Sequence, residues 1–191
     1  MSEPVDELAR VAAAAADGDP LAAAALVRST QADVWRLCAH LGDRRSADDL
    51  TQETYLRAFG SLHRFAGRSS VRTWLLSIAR RTCADAIRAR TRRPLALVGD
   101  DELLDRTDGS DRVGEGVAVA DLLARLHPDR REAFVLTQLM GMPYAEAAEV
   151  AGVPVGTIRS RVARARADLV AAVREEPRTA GQRDRGITGT R

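Results

Sequence analysis

The chain contains no lysine: all 29 of its basic residues are arginine. With the many alanines this fits a GC-rich coding sequence and carries no mechanism. Aromatic residues make up only 4% of the 191 positions. β-branched runs are few as well, which disfavours a fold built on pleated, branched surfaces. No apolar run approaches the about 18 residues that a membrane helix needs. The opening MSEPVDELAR is acidic and holds no apolar h-region, which argues against a secretory signal and places the expected protein in the cytoplasm. There are only two cysteines, Cys38 and Cys83, 45 residues apart. They make neither a metal spacing nor a disulfide framework, and both sit in helical patterns as buried free thiols. The histidines His40, His63 and His127 are dispersed. There is no Gly-rich phosphate loop and no Ser/His/Asp order, so no catalytic, metal or cofactor site stands out.

What the chain does hold is charge sorted into blocks. Its formal net charge is only +2, yet Arg64 to Arg93 carries nine arginines against one acid, Asp85. Gly99 to Gly116 carries seven acids against two arginines. Apolar content of 45% is ordinary for a globular chain. Periodic alanine- and leucine-rich segments point to an all-α protein of two small helical domains. Residues 1–20 read as a loose N-terminal extension with room for a short helix. A helix is expected over 21–41, then a turn at Gly42–Arg45. The next helix opens with Ser46 as N-cap and Asp49 three residues on, an acidic variant of the capping box. A loop at Phe65–Ser70 leads, through a Ser69 or Ser70 cap, into a long helix that ends before Pro94. Residues 94–116 have glycines, acids and no sustained period, and read as a flexible acidic linker. Helices resume over 117–126 and 128–139, and 174–191 reads as a disordered tail.

Between the second of these and the tail, PYAEAAEVAGVPVGT gives a short helix a small apolar face of Tyr144, Ala147, Ala148 and Ala151. Gly152-Val153-Pro154 breaks it, because glycine takes left-handed dihedrals and proline cannot continue the hydrogen-bond ladder. A second helix follows, at the spacing of a helix-turn-helix, whose second helix enters the major groove. At about 100° per residue, Ile158, Val162, Ala165 and Leu169 form its apolar stripe. Ser160, Ala163 and Arg164 fall on the opposite side with Arg159 at the edge, and Arg161 and Arg166 lie on the flanks. Arginine suits guanine edges and phosphates, so duplex DNA is the expected partner. A solvated amphipathic helix is the plain alternative.

Two further faces stand out. In SADDLTQETYLRAF, Ala47, Thr51, Thr54, Tyr55 and Ala58 lie on the core side with Leu50 at its edge. Asp49, Gln52, Glu53 and Leu56 form another face, a leucine ringed by acids and an amide that suits docking onto a basic, partly apolar helix of another protein. In the long helix, Val71, Trp74, Leu75, Ile78, Thr82 and Ala86 make a buried stripe, and Thr73, Ser77, Arg80, Arg81, Ala84 and Arg88 a polar, basic one. With the preceding loop of Phe65, Arg68, Ser69 and Ser70, that surface suits a nucleic-acid strand held by its backbone while a base is captured. Solvated surfaces are the plain alternative for both.

ADDLTQETYLRAF, the segment from Phe65 to Leu75, and AEVAGVPVGTIRSRVARARADL together resemble the extracytoplasmic-function sigma factors, the minimal two-domain members of the bacterial sigma-70 family. SADDLTQET and GTIRSRVARAR resemble the branch called sigma C. The resemblance implies region 2 over 21–93 and region 4 over 117–173. It implies that Asp49, Gln52, Glu53 and Leu56 grip the clamp helices of the polymerase β′ subunit. Phe65, Arg68, Ser69, Ser70, Arg72, Thr73, Trp74, Ser77, Arg80, Arg81 and Arg88 would open the −10 element. Thr157, Arg159, Ser160, Ala163 and Arg164 would face the bases of the −35 element, and Arg161 and Arg166 its phosphates. The implied partners are core RNA polymerase, through β′ clamp helices and β flap, and promoter DNA, with room for an anti-sigma factor and no cofactor or membrane. Family members thread the linker through the polymerase channel. Twenty-three residues span about 26 Å as a coil and about 75 Å extended, against on the order of 70 Å between the promoter boxes, so only a stretched linker would let both domains engage. His127 stands where the family usually has leucine, and Ala163 is smaller than usual. A stand-alone helix-turn-helix regulator is the rival reading, and it would not need the 49/52/53/56 face.

Overall fold

The computed structural model describes residues 4–42, 44–92 and 119–175. The expected linker at 94–116 and residues 176–191 of the expected tail lie outside these. Four helices come first: α1 (Pro4–Ala16), α2 (Pro20–Leu41), α3 (Ala47–Ser61) and α4 (Val71–Arg92). After the undescribed stretch residues 119–125 are helical (α5), followed by α6 (Pro128–Phe134), α7 (Tyr144–Ala151) and α8 (Val155–Glu175). Turns of 3₁₀ type at Arg44–Ser46 and Leu62–Arg64 flank α3, and α6 runs on as a π-type turn over Val135–Leu139. There is no strand among the described residues, in line with the all-α reading.

Local chemistry sets the helix starts. Asp19 accepts from the Leu21 amide at 2.8 Å, with Pro20 pre-set for the first turn of α2. Ser70 accepts from the Thr73 amide at 3.1 Å, the cap expected for α4. The cap expected at Ser46 is absent: its side chain makes no cap bond. The preceding 3₁₀ turn leaves Ser46 at φ −97°, ψ 4°, outside the extended region from which a cap hydroxyl reaches forward. His127 turns out to be the cap of α6, its Nδ1 accepting from the Asp129 amide at 3.4 Å. The N-terminal extension holds a 13-residue helix, because Leu8, Val11, Ala12 and Ala15, at i, i+3, i+4 and i+7, dock on the core.

One continuous core joins both sets of helices, running from Leu26, Leu37 and Leu75 to Val135, Leu136, Ala148 and Ile158. A satellite of Leu123, Leu126 and Ala165, flanked by Phe134 and Leu169, seats α5 on α8. Buried threonines do not leave unmet donors. Thr30, Thr54, Thr82 and Thr137 each donate to the carbonyl four residues back, at 2.6–3.1 Å. Since the Thr30 hydroxyl is thereby spent, the Tyr55 hydroxyl is the donor in their 2.7 Å bond, which ties α3 to α2.

Helix α4 departs from the expected two-faced pattern. The stripe of Val71, Leu75, Ile78 and Thr82 is buried as expected, but so are Leu76, Ala79, Cys83 and Thr73. At about 100° per residue the buried arc thus covers well over half the circumference. The reason is that α4 packs on α2 and α3 with one side and on α7 with the next.

Gly42, which ends α2, is held by close approach. A Cβ there would lie 2.6 Å from Leu50 Cδ1 and 2.8 Å from the Cys38 carbonyl oxygen. Gly42→Ala is expected to destabilise the chain by about 1–3 kcal/mol through overpacking. Urea unfolding checks this, with a lower midpoint at unchanged m-value.

Candidate nucleic-acid interface

Helix α3 turns Ala47, Leu50, Thr54, Tyr55 and Ala58 inward and leaves Asp49 and Gln52 exposed. Leu56 keeps 70% of its surface in water and Phe59, one turn on, keeps 37%. These two apolar side chains stand among polar ones on the outer face of α3. Phe59 was missed by the sequence reading; its i+3 offset from Leu56 was the available signal. Glu53 is half-buried and held by Arg57 at 2.7 Å, and Arg57 reaches Asp85 of α4 at 2.7 Å as well. Arg88 binds the other Asp85 oxygen at 2.5 Å. These guanidiniums, Arg57 first, hold the Asp85 carboxyl below the usual carboxylate range. Beside this face Gln31, Trp35, Asp48, Thr51 and Gln52 line a shallow cavity of about 520 Å³.

The expected −10 residues divide into two groups. Arg68, Arg81 and Arg88 are exposed, and Ser69 and Ser77 are half-buried. Phe65 and Trp74 lean on each other, ring centroids 5.2 Å apart and planes 48° apart, and pack on the core. The others face protein. Arg72 pairs with Asp33 at 2.6 Å and donates to the Met140 carbonyl at 3.3 Å. Thr73 accepts from the Ser70 hydroxyl and donates to Glu146 of α7 at 3.1 Å. Arg80 forms an ion pair with the buried Glu132 of α6. Thr73 is buried, whereas Arg72 and Arg80 keep 30% and 32% of their side chains exposed while engaged in these pairs.

The helix-turn-helix is built as its sequence suggests. Gly152 closes α7 at φ +67°, a left-handed conformation that favours glycine. The Gly152 and Val153 amides return to the Glu149 and Ala148 carbonyls at 3.2 and 3.1 Å. Helix α8 buries Ile158, Val162 and Ala165 and leaves Arg159, Ser160, Ala163, Arg164 and Arg166 exposed. Thr157 is half-buried at its first turn. Arg161 is not a free flank: it pairs with Asp129 at 2.6 Å with its side chain 19% exposed. With the Arg130–Asp168 pair, also at 2.6 Å, it fastens α6 to α8. Arg166 donates to Gln138 at 2.6 Å. Arg159 and Arg164 have no side-chain partner among the described residues, so the outer face of α8 keeps two unengaged guanidiniums. Among the described residues no His, Cys, Asp and Glu cluster could hold a metal ion, and no helix is long and apolar enough to cross a membrane.

Known proteins match this arrangement. Residues 26–93 match Sigma-70 region 2, and residues 116–169 match Sigma-70 region 4. The ECF RNA polymerase sigma factor SigC of Mycobacterium tuberculosis is 52% identical over 163 residues, covering 84% of this chain and 88% of that one. Among solved structures, CnrH in complex with the cytosolic domain of CnrY superimposes with a TM-score of 0.70 at 29% identity, over 87% of this chain and 96% of its own. The sigma factor RpoE of Bartonella quintana, in complex with the anti-sigma factor NepR, gives 0.61 at 26% identity, over 78% and 95%.

The Arg80–Glu132 pair is the charged clasp between α4 and α6. Glu132→Gln is expected to loosen it by about 1–2 kcal/mol, discounted because Arg80 is a third exposed. Hydrogen exchange of α4 and α7 amides should then quicken, while that of α2 stays as in the wild type.

Proposed function

The chain belongs to the extracytoplasmic-function sigma factors of the sigma-70 family, alternative sigma factors that direct promoter-specific transcription, and on that premise we propose how its surfaces divide the work. Residues 21–93 act as region 2, 94–116 as the linker and 117–173 as region 4. One observation carries the reading of region 4: beyond a glycine-closed turn, α8 presents Arg159, Ser160, Ala163 and Arg164 to solvent over a fully packed stripe. This is the end of a recognition helix that enters the major groove. Arg159 and Arg164 read base edges of the −35 element, and Arg166 contacts phosphate. Arg161 primarily holds α8 on α6 and reaches phosphate only if it leaves Asp129.

Region 2 carries two tasks. Asp49, Gln52, Leu56 and Phe59 dock on the β′ clamp helices, where covering Leu56 and Phe59 removes apolar surface from water. The Phe65–Ser70 loop and the basic side of α4 take the −10 strand. Strand separation costs about 1.4 kcal/mol per base-pair step, more than one small chain offsets over a bubble, so opening waits for core polymerase. Sigma factors are non-catalytic subunits, and the chemistry of transcription stays with the core. Region 4 also meets the β flap. As with the Bartonella relative, an anti-sigma factor is a fitting regulator.

Run-off transcription with core polymerase on a promoter library tests the reading. Transcripts should depend on this chain and share two upstream boxes; absence of dependence overturns it. The double variant Leu56→Arg with Gln52→Ala should keep its helical spectrum and lose core binding about tenfold or more, since both positions point away from the core. Arg164→Ala should lose −35 discrimination by about 1–3 kcal/mol, the worth of one bidentate base contact. Arg161→Ala should lower the thermal midpoint instead, which calorimetry would register.

A further inference from the structure

Asp85, the one acid among the nine arginines from Arg64 to Arg93, sits where α3 and α4 meet. Each of its oxygens is taken by an arginine of a different helix. Arg57 of α3 donates to Oδ2 at 2.7 Å, and Arg88 of α4 donates to Oδ1 at 2.5 Å. Glu53 accepts from the Nε of Arg57 at 2.7 Å. The carboxylate is thus a template that fixes two guanidiniums at one place. Arg81 joins them: Arg81, Asp85 and Arg88 recur at i, i+4 and i+7, on one face of α4. With Ser61 and Ile78 these side chains line a cleft of about 350 Å³. Its donors are not exhausted. Among the described residues Arg57 keeps Nη2, Arg88 keeps Nε and Nη1, and Arg81 has no side-chain partner at all. Ser61 adds no donor, since its hydroxyl is spent on the Arg57 carbonyl at 2.7 Å. Three guanidiniums against one carboxylate leave the cleft positive, and forked N–H groups match the oxygens of a phosphate. No aromatic ring lines it, so it offers no platform for a base.

We propose that Arg57, Arg81 and Arg88 form a phosphate site at the seam of α3 and α4, which holds one phosphodiester of a nucleic-acid strand. Asp85 is its positioning residue: it holds Arg57 and Arg88 in place, so less side-chain freedom is lost when the anion arrives. Arg57 is the new member, a residue of α3 that extends a surface otherwise borne by α4. Arg72 and Arg80 are engaged with Asp33 and Glu132, but this cleft keeps free donors at the surface. It takes a phosphate with no change in how the helices pack. The geometry of the site stands alone, and the identity of its anion rests on the region 2 reading.

The test titrates the full chain with oligothymidylate and, separately, with inorganic pyrophosphate. No polymerase is present, so a failure here is distinct from a failure of run-off transcription. NMR of the arginine Nε–Hε groups locates the contact. The Arg57, Arg81 and Arg88 signals should shift together with oligothymidylate, while those of Arg10 and Arg28 stay in place. Fluorescence anisotropy gives the affinity. Arg57→Ala and Arg81→Ala should each weaken oligothymidylate binding about fivefold and lower its salt slope by about one, as loss of a phosphate contact does. Arg28→Ala should change neither. Arg57 also ties α3 to α4, so Arg81→Ala, which removes no contact of the fold, is the deciding variant and should keep the wild-type thermal midpoint. Pyrophosphate, the free-anion source, should bind about tenfold or more weakly than the strand, which adds contacts on either side of the site. Shifts spread evenly over all arginines, wild-type affinity and slope in Arg81→Ala, or pyrophosphate binding as tightly as oligothymidylate would each overturn the proposal.

Discussion

Leu75, Leu76 and Ala79 point in different directions around α4, and all three are shut away from water. A helix can bury so much of its circumference only if it is walled on more than one side. Here the walls are α2 and α3 on one side and α7 on the next. The helix-turn-helix therefore shares a core with the helix that carries the arginine-rich face. A buried leucine contributes about 1.5–3 kcal/mol relative to exposure, so the apolar part of this junction is what holds the halves together. The rim contacts of Arg80 with Glu132, Thr73 with Glu146 and Arg72 with the Met140 carbonyl set its register.

That sharing links stability to function. Arg72, Thr73 and Arg80 make contacts within the protein that a nucleic-acid strand would have to replace, whereas Arg68, Arg81 and Arg88 stay at the surface. Opening would expose Leu76 and its neighbours, which favours the closed form until a large partner covers them. The α3 face is different: Asp49, Gln52, Leu56 and Phe59 lie outside the junction and are already exposed.

Much of this was legible from residue spacing. The α8 stripe of Ile158, Val162 and Ala165 is one-sided, so periodicity found it and with it the exposed Arg159 and Arg164. The α3 faces followed for the same reason. On α4 periodicity fell short, because Leu76, Ala79 and Cys83 lie between the two stripes assigned to it, and their burial comes from helices distant in sequence, α2 and α3 on one side and α7 on the next. Thr73 and Arg80 read as solvent-facing because nothing local announces a partner such as Glu132. Ser46 has the composition of a cap, but a preceding 3₁₀ turn aims it elsewhere, and His127 has the opposite history.

The central claim is that the free chain is closed through α4 and that promoter complex formation opens it. Spin labels at the exposed positions Arg28 of α2 and Ala171 of α8 report this directly by pulsed dipolar spectroscopy. A single narrow distance is expected in the free chain, replaced by a longer one when core polymerase and promoter DNA are added. A broad, long distribution in the free chain, or the same short distance in the assembled complex, would contradict it.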